Sequence, residues 1–261
     1  MFWALLAFGL LTIRHFYKKY RDKCIKKQKT FFGAYPVQKV PLGKILTLDS
    51  VGVKDKKILK MTLPGIEGDR PGKVEAGTTL EESFILAQTA LSAKKLFEFG
   101  TCTGRTTYLW ALNSPKDAQI TTLTLSPDQL ADYEKENKDT KADSSIALKE
   151  SKFTEFFYTS QPEEKKITQL YGDSKQFDET PYKEQCDLIF IDGSHAYSYV
   201  LSDSRKALHM LKPGGTILWH DYRGPWQAKG VYKALNELSQ ELPLKHIAGT
   251  CLVVYQKPKN A

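Results

Sequence analysis

Two short segments of the chain combine histidine with aspartate directly after an apolar run. Asp192 and His195 follow one such run, and His220 and Asp221 follow another. An imidazole titrates close to neutral pH, so His195 is a candidate general base. Neighbouring carboxylates can orient a base or bind a cation, so Asp192 and Asp221 are candidate catalytic residues. The alternative for His195 is a hydrogen bond to a carbonyl that only orients its loop.

A third segment is rich in glycine and lies between a strand-like run and a helical pattern. Residues 98–106 are EFGTCTGRT, which is E-x-G-x-x-x-G from Glu98 through Gly100 to Gly104. Such glycines let the backbone approach a ligand beside the free N–H groups of a helix start. The dinucleotide fingerprint is absent because Cys102 replaces its second glycine, and a P-loop would need a lysine. The motif indicates the wider loop that holds the amino-acid half of S-adenosylmethionine, or else only a turn.

The elements that position these segments alternate between strand and helix from about residue 79. Alternation predicts a parallel sheet covered on both faces by helices. Four residues separate the last two runs, which allows only an antiparallel hairpin there. The stretch 128–166 is predicted as an extended helix with an exposed insertion. The predicted strands are 95–99, 120–125, 167–171, 186–191, 216–219, 244–247 and 252–256, and the predicted helices are 79–93, 105–112, 199–211 and 226–242.

Polar groups gather at one edge of this predicted sheet. In an open α/β sheet, ligands bind at the carboxyl ends of the strands. Asp173 follows the third strand, where a short acidic side chain can accept a hydrogen bond from an adenine amine. The groups that fall at this edge are Glu98, Asp173, Asp192, His195, His220 and Asp221.

Composition and charge narrow the class of protein. The chain has 261 residues, 41% of them hydrophobic, and a net charge of +8. Residues 14–29 hold eight Lys/Arg and one Asp, so the remaining chain is nearly neutral. A nucleic-acid groove needs a basic face on the folded body, so no nucleic-acid partner is expected. The four cysteines are scattered, which excludes a disulfide framework or a cysteine zinc site and predicts reduced thiols.

The amino terminus has the pattern of a membrane anchor. Residues 1–13 carry no charged side chain, and a basic run begins at Arg14. This pattern predicts an uncleaved anchor over residues 1–29 that spans the bilayer or lies in its interface, with the remaining chain in the cytoplasm. The alternative is a helix packed on the domain. Residues 30–78 are expected to be a linker and irregular lead-in, and residues 79–261 the folded domain.

The ordered set EFGTCTGRTT, GDS, DLIFIDGSHAY, LKPGG and WHDY resembles the class I S-adenosylmethionine-dependent methyltransferases, most of all their small-molecule O-methyltransferase-like branch, over about residues 80–257. The resemblance implies an α/β, Rossmann-like, doubly wound and mostly parallel seven-stranded sheet with an antiparallel last strand. It implies that Glu98, Gly100 and Gly104 hold the methionine part of the cofactor and Asp173 the adenine. The candidate cofactor-binding residues are Glu98, Gly100, Thr101, Gly104, Ser126, Asp173, Ser174 and Asp192.

One position departs from the family pattern. Many members end the second strand with an acidic residue that binds the ribose hydroxyls, and here that position is Thr124. A hydroxyl cannot chelate two hydroxyls as a carboxylate does. Either Ser126 or Asp128 substitutes for the acid, or the affinity for the cofactor is weaker.

A divalent cation such as Mg²⁺ is a further expectation. Some related O-methyltransferases place one between the ends of the fourth and fifth strands, where this chain has Asp192, His220 and Asp221. Histidine suits a transition metal better than Mg²⁺, which prefers oxygen ligands. Without a metal, Asp192 would cap a turn and Asp221 would orient His195 or the acceptor.

The function expected from the sequence is methyl transfer from S-adenosylmethionine to an oxygen of a small-molecule or lipid-linked acceptor at the membrane surface. The alternative is a binding module that keeps the methyltransferase fold but has lost the chemistry, which the threonine at position 124 favours. A nucleic-acid methyltransferase is disfavoured by the nearly neutral body.

Overall fold

A central sheet with helices on both faces forms the body of the molecule. The computed structural model describes residues 14–20, 23, 29–30, 33–34, 37–40, 78–133, 136–140, 145, 148–149 and 151–260. Eight strands of these residues form one sheet in the order β3-β9-β10-β8-β7-β4-β5-β6. The strands are β3 (Gln38–Val40), β4 (Lys95–Phe99), β5 (Gln119–Thr124), β6 (Ile167–Tyr171), β7 (Cys186–Ile191), β8 (Leu211–Trp219), β9 (Lys245–Ile247) and β10 (Val253–Gln256).

The predicted seven-stranded core is confirmed. Strands β4 to β8 are all parallel to one another, and β10 is antiparallel to both β8 and β9. The strand order reverses between β4 and β7, because the chain runs outward on one side through β5 and β6 and then crosses to β7. This switch point brings the carboxyl ends of β4 and β7 side by side, which is where an open α/β sheet binds ligands.

Among the residues that the structure describes, four helices cover the sheet, two on each face. Helices α1 (Leu80–Ala90) and α2 (Arg105–Asn113) pack on one face, and α3 (Tyr197–Met210) and α4 (Lys229–Leu238) pack on the other. Each face has its own apolar core, one around Trp110 and one around Trp219. Helix α1 begins at the predicted threonine, where Thr79 and Glu82 form a capping box. The four predicted helices are confirmed, with ends shifted by a few residues.

Two regions differ from the expectation. Residues 38–40, inside the predicted linker, pair in parallel with β9 and extend the sheet by an eighth strand. In the described part of 128–166, Pro127–Asp132 and Pro162–Lys166 form 3₁₀ helices and residues 145, 148 and 149 are α-helical, so one continuous helix does not run through the segment. Phe156 and Tyr158 are buried against the glycine-rich loop. Burying the large apolar area of an aromatic ring stabilises the fold. The partner of these rings is a loop about 50 residues earlier in the chain, so the local sequence pattern does not reveal their burial.

Residues 1–13 of the predicted anchor lie outside the described residues. Residues 14–20 are helical and exposed, and the Tyr17 ring meets Trp226 edge to face at 5.7 Å. Within the described ranges, the structure has no helix whose length and apolarity suit a membrane crossing. The small strands β1 (Lys29–Thr30) and β2 (Gly33–Ala34) form a separate antiparallel pair.

Candidate active site

The main cleft opens at the switch point, at the carboxyl ends of β4, β5, β6 and β7. The space between its walls is about 510 Å³ when the part open to solvent is included, and the cavity volume itself is about 50 Å³. Among the predicted cofactor residues, Gly100, Asp173 and Ser174 line it, and Thr124 lines it as well. Residues not anticipated for this cleft also contribute to its wall, namely Cys102, Tyr133, Ser151, Gly193, Ser194, Tyr199 and Asp203.

The glycine-rich loop forms one wall of the cleft by pressing against the end of β7. A Cβ placed on Gly100 would lie 2.3 Å from the carbonyl oxygen of Asp192, and its φ is +101°. Only glycine tolerates both the contact and this dihedral. Gly104 has a φ of +74° and packs under the ring of Tyr158, which explains the second glycine. Gly104 therefore shapes the loop rather than lining the cleft.

Glu98 lies beneath the loop rather than in the cleft. It is 2% exposed, and its Oε2 accepts hydrogen bonds from the hydroxyls of Thr107 and Thr122. Thr122 is 2.8 Å from the hydroxyl of Thr101, which is also buried. Burial raises the pKa of Glu98 to about 8 against the opposing effect of these hydrogen bonds. Glu98 and Thr101 therefore support the loop from below, in a hydrogen-bond network that continues from Thr101 to the Gln169 side chain on β6.

The end of β5 has no carboxylate facing the cleft. Thr124 lines the cleft at the position where the resemblance expected an acid. The Ser126 hydroxyl instead donates to Gln129 at 3.0 Å in a capping box, and Asp128 is exposed on the turn that follows. Neither Ser126 nor Asp128 belongs to the lining of the cleft.

Two aspartates, here called the aspartate pair, line the other end of the cleft. Asp173 accepts from the Tyr199 hydroxyl at 2.8 Å and from the backbone N–H of Lys175 at 2.9 Å. Asp203, on α3, is 1% exposed and is hydrogen-bonded by Ser174. Burial raises the pKa of Asp203, and the neighbouring Asp173 adds to this effect while Ser174 opposes it; the result is a pKa of about 7.

An aromatic pair closes this end of the cleft. The rings of Tyr133 and Tyr199 stack at 4.5 Å with an interplanar angle of 4°. The Tyr133 hydroxyl lies 2.6 Å from the Ser194 hydroxyl, so it links the segment after β5 to the end of β7. These tyrosines have the size and shape to cover a planar ring.

A second group of polar residues, here called the histidine cluster, lies at the ends of β7 and β8. It consists of Glu82, Asp192, His195, His220 and Asp221. His195 Nε2 is 2.5 Å from Asp221 Oδ2. A carboxylate on one ring nitrogen fixes the tautomer and stabilises the imidazolium that forms when the other nitrogen takes a proton.

His220 is the centre of the histidine cluster. Its Nδ1 is 2.9 Å from Asp192 Oδ1 and 3.5 Å from Asp221 Oδ2, and its Nε2 is 3.3 Å from Glu82 Oε2. Burial alone would lower the pKa of His220, but Asp192 and Asp221 raise it well above its ordinary value. His220 is therefore an imidazolium that joins three carboxylates.

The carboxylates respond to this positive charge. Burial would raise the pKa of Asp221, but His220 and His195 hold it well below the ordinary range. Arg223 Nε adds a contact of 2.7 Å to Asp221 Oδ1. Glu82 is held in the same way by His220 and by the N–H and thiol of Cys251, which lowers its pKa against the effect of burial.

The predicted metal ligands Asp192, His220 and Asp221 do lie together, with one atom of each within 4.8 Å of the others. Glu82, His220 and Cys251 form a second such group. A metal ligand must be a neutral imidazole with a lone pair toward the ion. Here both nitrogens of His220 face carboxylate oxygens, and Mg²⁺ prefers a shell of oxygen ligands alone. The donor set does not fit a divalent cation, and no step below uses one.

A small recess adjoins the main cleft, with a cavity volume of about 10 Å³, enough for roughly one water molecule. Asp192, His195 and His220 line it, and it shares Gly193 and Ser194 with the main cleft. The fold therefore places a basic side chain beside the cleft that the glycine-rich loop forms.

Sequence reasoning missed the residues whose roles depend on distant parts of the chain. Glu82 was seen only as part of a helix start, yet it contacts His220 138 positions away. Asp203 falls in the middle of an amphipathic helix, where an acid usually faces solvent. Its position four residues after Tyr199, on the same helix face, was the available signal.

Fold and site together support a class I S-adenosylmethionine-dependent methyltransferase domain. A family model described as a methyltransferase domain matches residues 97–222, which run from β4 to just beyond β8. No curated relative matches the chain.

Several solved structures are similar to this chain. The S-adenosylhomocysteine-bound methyltransferase PaMTH1 of Podospora anserina is 18% identical, with 73% of this chain and 83% of that chain covered and a TM-score of 0.49. The O-methyltransferase TomG of Streptomyces achromogenes, in complex with SAM, is 12% identical, with coverage of 70% and 83% and a TM-score of 0.47. A SAM-dependent O-methyltransferase from Thermotoga maritima is 16% identical, with coverage of 71% and 67% and a TM-score of 0.44. Likeness at this level carries no argument about the acceptor.

Proposed function

We propose that this protein transfers a methyl group from S-adenosylmethionine to a hydroxyl oxygen of a small-molecule acceptor. The observation that carries the proposal is the pair of adjoining cavities. The larger is bounded by the glycine-rich loop and the aspartate pair, and the smaller contains His195 held by Asp221. The acceptor oxygen must reach the methyl group directly for an in-line transfer, and Gly193 and Ser194, which line both spaces, mark where His195 comes nearest to the main cleft.

The chemistry divides between the cofactor and the protein. S-adenosylmethionine supplies an electrophilic sulfonium methyl; the C–S electron pair stays on sulfur as the new C–O bond forms. His195 receives the proton that leaves the acceptor hydroxyl. Asp221 keeps the imidazole in one tautomer and stabilises the resulting imidazolium, while Arg223 holds Asp221 in place. His220 and Asp192 are positioning residues in this scheme, because their contacts are with other protein groups.

A further part of the proposal rests on the sequence alone. In it, residues 1–29 associate with a membrane, the acceptor can be lipid-linked, and the domain faces the cytoplasm. The support is the uncharged stretch 1–13 followed by the basic run. Flotation of the full-length chain with phosphatidylserine vesicles tests this part, and a chain that stays at the bottom of the gradient contradicts it.

Two measurements on the full-length chain test the main proposal. The first is titration with S-adenosylhomocysteine, and the second is transfer of a labelled methyl group from S-adenosylmethionine to a panel of phenols and alcohols. We expect one-site binding and methyl transfer. His195→Ala should lower transfer by about 10²–10⁴-fold while leaving the dissociation constant of S-adenosylhomocysteine within about twofold. His209→Ala is the matched control, because His209 lies at the far end of α3 and contacts Glu179.

The outcomes separate the alternatives. Undiminished transfer by His195→Ala contradicts its role as the base. Binding of S-adenosylhomocysteine with no transfer to any acceptor favours the module that keeps the fold without the chemistry. A full-length chain that does not bind S-adenosylhomocysteine contradicts the proposal as a whole.

A further inference from the structure

One carboxyl oxygen in the main cleft is buried and unsatisfied. Asp203 Oδ1 has no hydrogen-bond partner within the described ranges, although the side chain is 1% exposed and lines the cleft. A buried oxygen without a partner costs about 1–3 kcal/mol, so native proteins rarely keep one without a reason. A ligand group in the cleft that pairs with this oxygen would remove the cost.

The neighbouring Asp173 is arranged differently. Both of its oxygens already accept hydrogen bonds from protein donors, one from the Tyr199 hydroxyl and one from the Lys175 backbone N–H. Each carboxylate oxygen has a second lone pair, so Asp173 can accept one more hydrogen bond from a ligand. It can only accept, whereas a protonated carboxyl at Asp203 can donate.

Adenine matches this arrangement. Its 6-amino group is a donor, and the ring nitrogens on either side of that group are acceptors. Hypoxanthine has an oxo acceptor in place of the amine and an N–H donor at N1, so its pattern is reversed along this edge, while N7 remains an acceptor. A carboxylate beside a carboxylic acid therefore accepts from the amine and donates to N1 of adenine, whereas hypoxanthine offers neither group in that form.

We propose that Asp203 is a cofactor-specificity residue that donates a hydrogen bond from its carboxyl to a ring nitrogen of adenine, beside the 6-amino group that Asp173 accepts. The proposal rests on the proposed function, because it requires that the cleft hold the adenosine end of the cofactor. The proposal gives a role to Asp203, a buried acid of α3 that lines the cleft and lies apart from the histidine cluster.

The surroundings of Asp203 favour the protonated form. The charged groups that act on it are Asp173 and Lys175 from the segment after β6 and Lys206 from α3 itself. Lys175 contacts Glu136 at 2.8 Å, and Lys206 contacts Glu179 at 3.3 Å, so both lysines are paired with other acids. Burial consequently dominates and raises the pKa of Asp203 to about 7.

The test compares S-adenosylhomocysteine with S-inosylhomocysteine, its counterpart carrying hypoxanthine, by calorimetric titration of the full-length chain between pH 6 and 8.5. The wild-type affinity for S-adenosylhomocysteine should fall by up to about tenfold per pH unit above pH 7, because binding requires the Asp203 proton. At pH 6.5, S-inosylhomocysteine should bind about 10- to 100-fold more weakly.

Two substitutions sharpen the test. Asp203→Asn keeps a donor that does not titrate, so its affinity for S-adenosylhomocysteine should depend less on pH than the wild type. An amide also offers an acceptor, so this variant should discriminate less against S-inosylhomocysteine. Asp203→Leu should bind S-adenosylhomocysteine about 10- to 100-fold more weakly at pH 6.5. Asp117→Asn, the same exchange at an exposed position before β5, is the control and should resemble the wild type.

The results distinguish this inference from the proposed function. If the wild type binds S-adenosylhomocysteine but its pH dependence is the same in Asp203→Asn, the role of Asp203 is refuted and the methyltransferase proposal stands. Equal affinity of the wild type for both nucleosides also refutes it. If no variant binds S-adenosylhomocysteine, the proposed function itself fails.

Discussion

The histidine cluster and the aspartate pair are two groups of buried acids at the same edge of one sheet, with opposite electrostatics. In the histidine cluster, His220 touches three carboxylates, and the pKa values of Glu82 and Asp221 are lowered. In the aspartate pair, no cation directly contacts Asp203 among the described residues, and its pKa is raised to about 7. Burial penalises the charge in both regions, so the presence of a counter-charge decides the protonation state.

The largest effect is expected from removing the central imidazolium. His220→Ala leaves the buried carboxylates of Glu82 and Asp221 with less compensation, so the free energy of unfolding should fall by about 3–5 kcal/mol. Urea unfolding monitored by circular dichroism at pH 7 measures this change. His209→Ala removes an exposed contact with Glu179 and should cost less than about 1 kcal/mol. Equal stability of the two variants would mean that the histidine cluster is not held together by His220.

Substitution in the aspartate pair should change the free energy of unfolding in the opposite direction and stabilise the protein at high pH. The pKa of Asp203 is near 3.8 unfolded and about 7 folded, so the wild type loses stability as pH rises from about 4 to about 7. Asp203→Asn removes this loss. The free energy of unfolding of the variant minus that of the wild type should therefore be about 2–4 kcal/mol larger at pH 8 than at pH 4. Urea unfolding at both pH values provides the measurement. An unchanged difference between the two pH values would show that Asp203 is not buried as an acid.

A third test adds a carboxylate to the cleft between the two regions. Thr124→Asp places an acid where the family pattern has one, at a position that lines the cleft. Charge-assisted hydrogen bonds to the ribose hydroxyls should tighten S-adenosylhomocysteine binding by about 5- to 10-fold. Thr124→Val is the control and should not tighten it. Weaker binding by Thr124→Asp would place the ribose away from the end of β5.

The smallest effect concerns the metal. Because His220 occupies the space between the carboxylates, incubation with EDTA should change methyl transfer by less than about twofold. Added Mg²⁺ should have equally little effect, because the ion would have to displace a hydrogen-bonded imidazolium. A loss of activity with EDTA that Mg²⁺ restores would contradict this interpretation of the histidine cluster.

Most of the sheet could be predicted because its signals are local. Apolar runs of five or six residues became β4, β6 and β7 with the expected ends, and the short connection before β10 correctly indicated the antiparallel strand. The edge strand β3 was missed because three residues carry too little periodicity to be recognised. The covering of Gly104 by Tyr158 was missed for a related reason, since the two are far apart in the chain.

The site could be predicted only in part. The sequence indicated that Asp173, His195 and Asp221 gather at one edge, because strands of a parallel sheet end on the same side. It did not show that Glu98 would be used beneath the loop. An acid two positions before a glycine has the same spacing whether it faces the ligand or the core.

By itself, the amino-acid sequence determined the alternation of strands and helices, the glycine turn and the histidines at the strand ends, because each depends on residues within about one turn or one strand of each other. The tertiary structure alone decided which charges meet. Glu82 and Cys251 are 169 positions apart, yet the Cys251 backbone N–H donates to the Glu82 carboxylate at 2.8 Å. Whether a buried acid such as Asp203 keeps its proton follows from such distant neighbours, because electrostatic energy depends on distance in space and not along the chain.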